Sequence, residues 1–119
     1  MRWKRLLRLA ASLLAARVVL FLTPVAYQGW FEWRQGRVLE QVALGSSRAE
    51  LEARLGAPTY VTDGTRSVEP EYPRGWDELI PGCVVEDWYH SRLTFIASRY
   101  SYCFDASDRL VHKYHWLLW

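Results

Sequence analysis

Leu44–Tyr60, LGSSRAELEARLGAPTY, spells out one short helix together with both of its ends. Ser47 is followed three residues later by Glu50, the spacing at which each side chain can satisfy the other residue's free backbone N–H at a helix start. Leu51 and Leu55 are four apart and share a face, Leu44 can fold back onto Leu51 from before the cap, and Glu50, Glu52 and Arg54 take the wet sides. Gly56 offers the left-handed residue that closes a helix. Pro58 prevents continuation, because it lacks an N–H and restricts Ala57. A helix this short and one-sided must bury Leu51 and Leu55 against another layer.

Downstream, that layer is a sheet. Val84–His90, Ser98–Phe104 and Leu110–Trp116 are rich in Val, Tyr, Trp and Phe, and Asp105–Asp108 forms a polar turn between the last two. Alternation places Tyr100, Tyr102 and Phe104 on one face of the middle strand, with Arg99, Ser101 and Cys103 on the other. In the last strand Leu110, His112, Tyr114 and Trp116 are expected to oppose Val111, Lys113 and His115. The aromatic side should receive the helices.

Upstream, Val38, Leu39 and Val42 at helical spacing predict a first short helix over 33–44, jointed to the second at Gly45–Ser47. The expected fold is therefore α+β: two short helices packed on a three-stranded antiparallel β-meander, preceded by an N-terminal membrane helix. Residues 1–31 form the anchor or signal segment and 37–119 the domain.

The N-terminal segment begins MRWKRLLR and continues mostly apolar from Leu9 to Tyr27. Residues 1–37 carry seven basic side chains against Glu32 alone, whereas 38–119 carry eight basic and twelve acidic ones. The basic front puts the N-terminus in the cytoplasm and the domain outside. Arg17 costs ~3 kcal/mol at a helix centre, against about 3 to 5 kcal/mol from the apolar residues around it. A span over 13–30 leaves Arg17 one turn inside, able to snorkel, and puts Tyr27, Trp30 and Trp33 at the far interface. The alternative is a cleaved signal peptide, for which Pro24 and Ala26 make a poor site. A third reading is an amphipathic surface helix, but Val18–Leu22 is apolar all round. The basic excess sits at the terminus, not as a stripe on the domain, so nucleic acid is not an expected partner.

Residues 61–82 carry Asp63-Gly64, Pro70, Pro73, Gly75 and Pro81-Gly82 with no sustained period, and predict a long loop. Trp76, Leu79 and Ile80 suggest either a helical turn pinned to the core or a surface insertion. Tyr72, Arg74 and Trp76 are residue types that anchor interfaces, and they are the candidate partner-binding residues.

Catalytic and metal signatures are sparse. His112 and His115 fall on opposite faces of one strand, and no Cys-x-x-Cys or His-x-x-x-His spacing occurs, so no metal or other cofactor is expected. Cys83 could serve as a nucleophile with His90. A Cys83–Cys103 disulfide is the stronger expectation for a small exported domain, since one lies at the mouth of the first strand and the other in its neighbour. The acidic pairs Glu86-Asp87 and Asp77-Glu78 read as solvated surface. These features favour a binding module over an enzyme.

Leu44-Gly45-Ser46-Ser47, Glu50-Leu51, Leu55-Gly56-Ala57-Pro58, then Trp88-Tyr89, Tyr102-Cys103-Phe104-Asp105 and Leu110-Val111 follow one another in an order that resembles the BamE (SmpA/OmlA) family of bacterial envelope proteins. The likeness spans roughly residues 37–116. It implies a helical half before a three-stranded sheet and a role in envelope or outer-membrane protein assembly, with protein partners of the cell envelope. Family members typically carry an acylated cysteine at the start of the mature chain. Here no cysteine precedes Cys83, which shifts the expected address to the inner membrane, single-pass, with the domain in the periplasm. The competing functional expectation is a periplasmic inhibitor or immunity-type protein that blocks an enzyme.

Overall fold

A computed structural model describes residues 2–64, 80–91 and 98–117. Its elements are α1 (Arg2–Gln41), α2 (Arg48–Leu55), β1 (Tyr60–Asp63), β2 (Val85–His90), β3 (Ser98–Phe104) and β4 (Leu110–Leu117). The strands form one antiparallel sheet in the order β1-β2-β3-β4. The α+β class, the membrane-length helix and the three expected strands are present. Two details are corrected. Residues 60–63, expected as the end of α2's exit and the start of a loop, pair with β2 as a fourth strand, Tyr60 opposite Trp88. The expected first short helix is the last third of α1, continuous with the apolar segment.

α1 is one helix of 40 residues, about 60 Å at 1.5 Å per residue, and is long and apolar enough to cross a membrane. Pro24 lies inside it without ending it; Thr23 Oγ1 donates to the Val19 carbonyl at 2.7 Å in the turn that the proline disturbs. From Gln28 onward the helix buries Gln28, Phe31, Gln35 and Val38, and Val42 continues the stripe just past its end. The steps of three and four between them keep one stripe on one face. Phe31 meets Tyr100 edge-on, with ring centroids 6.0 Å apart.

One half of the expected capping box starts α2, Ser47 Oγ accepting from the Glu50 N–H at 3.1 Å, while the Glu50 carboxylate makes no return bond to the Ser47 N–H. It ends at Gly56, whose φ of 81° suits glycine and whose N–H returns to the Glu52 carbonyl. Leu51 and Leu55 are buried, but Leu44 remains 62% exposed and does not fold back onto Leu51. Instead, the joint is strapped to the start of β4: the Gly45 N–H donates to the Leu110 carbonyl, and the Leu110 N–H to the Ser46 carbonyl.

Phe31, Val38, Val42, Leu51 and Leu55 pack on Tyr89, Tyr100, Tyr102, Phe104 and Leu110, so the aromatic face does receive the helices. Each such side chain contributes about 1.5–3 kcal/mol on burial. The faces of β4 differ from simple alternation. Phe104 pairs with Leu110 but Cys103 pairs with His112, so Val111 is bulged out and the facing of every later residue flips. Lys113 and His115 therefore join Leu110 on the helix side. Lys113 Nζ donates to the Leu39 and Val42 carbonyls at 2.6 and 2.7 Å, closing the C-terminal end of α1 with a cation.

Cys83 and Cys103 form the expected disulfide, with 5.6 Å between their Cα atoms. Closing a 20-residue separation contributes roughly 3 kcal/mol in the chain-entropy model. Gly64 is buried against it, and a Cβ there would overlap Cys83 Sγ.

Candidate functional site: the arginine cleft beside helix α1

Three polar clusters outside the hydrocarbon core offer chemistry. The first lies where β2 meets α2. Asp87 is fully buried, and Arg48 clamps it with Nη2–Oδ1 at 2.8 Å and Nε–Oδ2 at 3.2 Å while also reaching Glu52 at 3.2 Å. This overturns the reading of Glu86-Asp87 as solvated surface, since both are buried. Arg48 supplies the countercharge that makes Asp87's burial tolerable. Burial pushes the Asp87 carboxyl up to about 6 against the pull of Arg48, with Glu52 adding to the rise. This cluster is a structural clamp between layers.

The second cluster joins α1 to the sheet. Glu32 accepts from Gln28 Nε2 at 2.9 Å and from the Tyr100 hydroxyl. His115 stacks on Tyr100 at 4.1 Å, and its Nε2 lies 2.7 Å from Ser98 Oγ and 3.6 Å from Glu32 Oε2. Serine, histidine and glutamate together invite comparison with a nucleophilic triad. In a triad the carboxylate holds the ring nitrogen remote from the serine. Here both groups approach the same nitrogen, and Ser98 is buried, so the relay geometry is absent. Burial lowers the His115 pKa against the opposing pull of Glu32, which favours the neutral imidazole. The cluster fastens the helix to the strand.

The third cluster is an open cleft of about 310 Å³ lined by Trp33, Arg34, Arg37, Val38, Gln41 and Arg54. It forms because the exposed side of α1 and the last turn of α2 converge. Arg34 Nη2 donates to the Arg54 carbonyl at 2.8 Å, and Arg54 Nη2 donates to Gln41 Oε1 at 2.6 Å. Arg34 sits over the Trp30 ring at 5.3 Å and Arg37 over Trp33 at 4.9 Å, contacts that order both guanidinium groups. Among the described residues that line it, none is acidic. Three ordered guanidinium groups repel one another and present unused N–H donors, a setting that favours an anionic group.

Of the expected site residues, Tyr27, Trp30 and Trp33 lie together on two turns of α1, with Tyr27 6.3 Å from Trp30. Trp30 and Trp33 are exposed, and Arg17 lies far back on the exposed stretch. The candidate partner residues Tyr72, Arg74 and Trp76 and the suggested turn at 76–80 except Ile80 lie outside the described residues. For a metal, Cys83, Glu86 and Cys103 place ligand atoms within 4.8 Å of one another, but the sulfurs are bonded to each other and offer no thiolate. The same bond removes Cys83 as a nucleophile. His112 and His115 lie on opposite faces, as their partners Cys103 and Tyr100 require.

The sequence places Trp33 at the membrane interface and Arg54 on the wet side of α2, and only the contact between the two helices brings them into one cleft with Arg34 and Arg37. A local signal was there: Arg34 and Arg37 each stand four residues after a tryptophan, the spacing that stacks them on one helix face. No protein-family model, curated protein or solved structure matches the chain.

Proposed function

We infer that this protein is a non-catalytic, membrane-anchored interaction module whose domain lies in the bacterial periplasm, held at the inner membrane, and that it serves envelope or outer-membrane protein assembly. The observation that carries the reading is α1. An apolar, exposed stretch runs without a break into the stripe that packs on the sheet, so the domain stands at a fixed height on its own anchor. A disulfide-stapled domain agrees with an oxidising compartment. The resemblance in Leu44–Pro58 and in the sheet motifs to the BamE family supports the assembly role. Every buried residue of α1 lies at Gln28 or beyond, so the preceding stretch supplies attachment and is not needed for the core.

Affinity capture of the full-length protein from detergent-solubilised membranes, read by mass spectrometry, tests the reading. Assembly factors or their substrates support it. Capture of a single periplasmic hydrolase would instead favour an inhibitor, and turnover by the isolated protein would overturn the non-catalytic reading. Alanine at both Arg74 and Trp76 should abolish capture with an unchanged melting temperature if those two residues hold the partner.

A further inference from the structure

We propose that the cleft of Arg34, Arg37 and Arg54 is the docking site for an acidic segment of a partner protein that runs along the membrane surface. This rests on the interaction-module reading and names the place and chemistry of the contact. The charge is one-sided: three guanidinium groups line the cleft and no carboxylate does, among the described residues. The volume of about 310 Å³ suits one or two side chains, at the lower limit of ligand pockets. Trp33, 59% exposed, lines it as an apolar ledge, Trp30, 50% exposed, lies under Arg34, and Trp and Arg are among the residue types most enriched at the energetic centres of protein interfaces.

Height separates a protein carboxylate from a lipid phosphate, the other abundant anion near a membrane. If the span ends at Trp30, Arg34 stands about 6 Å and Gln41 about 16 Å beyond it along the helix. The headgroup layer is only about 5–7 Å thick on each side. A tilt of about 20° lowers those heights by roughly 6%. Most of the cleft therefore clears the phosphates. Arg34, the lowest of the three, has one N–H committed to the Arg54 carbonyl and Arg54 one to Gln41 Oε1, which leaves each guanidinium further donors, and height alone sets Arg34 apart. Arg37 and Arg54 face the space in which a neighbouring protein's juxtamembrane segment travels, and their forks match a carboxylate in two-pronged fashion.

The test places the photo-crosslinker p-benzoylphenylalanine at Trp33 in the full-length protein in its own membrane. The expected result is a crosslink to an extramembrane protein segment bearing Asp or Glu within about one helical turn of the attachment point. It should fall at least tenfold in the double variant Arg37→Gln, Arg54→Gln, and recover in part with Arg37→Lys, Arg54→Lys. Equal membrane abundance and protease resistance of the variants keep the comparison clean. No crosslink, a crosslink to lipid, one to a segment without acidic residues, or one indifferent to the glutamine pair overturns the proposal. Affinity capture from the same cells separates the two levels: a captured partner with no Trp33 crosslink removes the cleft and leaves the interaction module standing, whereas loss of both removes both.

Discussion

The two halves of α1 follow different rules although no break separates them. From Arg2 to Tyr27 no side chain is buried, and Leu20 and Phe21 are more than 70% exposed; from Gln28 the helix carries a buried stripe against the sheet. Behind its basic front the first half is mostly apolar, with Arg17 as the charged exception, and among the described residues it rests on no other element. The second is polar on average and rests on Tyr100 and its neighbours. The two halves therefore differ both in hydropathy and in what lies beside them, and only the second packs as a core helix. A shared backbone turns the boundary into a mechanical joint, so that on the proposed membrane anchoring the tilt of the first half sets the orientation of the second.

Substitutions matched across the joint test this division. Phe31→Ala should lower the domain's stability by about 3–5 kcal/mol, the usual cost of emptying a buried aromatic site. Phe21→Ala should leave the melting transition unmoved within about 0.5 kcal/mol. Equal effects would erase the distinction. In the first half, Arg17→Leu should strengthen membrane insertion by up to ~3 kcal/mol, less where the arginine already snorkels, read as resistance to alkaline extraction.

In the second region, Arg48→Met should cost roughly 3 kcal/mol at neutral pH by leaving Asp87 buried without its countercharge. The cost should shrink near pH 5. Asp87 titrates near 6 when folded and near 3.8 when unfolded, so the folded state binds more protons between those values and stability falls as pH rises through them. Removing Arg48 raises the folded value further and steepens that fall, whereas Asp87→Asn should flatten it. Melting temperatures from pH 4 to 7 read all three proteins. The smallest effect expected of a change in the packed domain belongs to Tyr100→Phe, which removes the hydroxyl bond to Glu32 at a cost of about 1–2 kcal/mol, still above the shift expected for Phe21→Ala.

What could be read beforehand follows from how local each signal is. The capped helix Arg48–Leu55, the strands Ser98–Phe104 and Val85–His90 and the disulfide were legible, because caps, alternation and paired cysteines are written within a few residues. The stripe of α1 was not, because two of its five positions are Gln28 and Gln35, polar residues that hide the period. Their Oε1 atoms are buried with no hydrogen-bond partner among the described residues. The faces of β4 beyond Val111 were misassigned because one bulged residue reverses the alternation, and a bulge has no marker in this turn. β1 was missed because four residues give too little alternation to separate a strand from a loop. The arginine cleft joins two helices and so depends on tertiary contact.

The account depends most on α1 being one uncut, unbroken helix from the membrane into the domain. Double electron–electron resonance between spin labels at Leu14 and Glu40, in the full-length protein reconstituted in bilayer nanodiscs, measures this directly. A continuous helix places these positions about 39 Å apart along its axis. A single narrow distance near that value is the result expected. A broad or markedly shorter distribution would mean a hinge between anchor and domain, and the absence of any paired signal in protein purified from membranes would mean that the first half had been removed; either result contradicts the account.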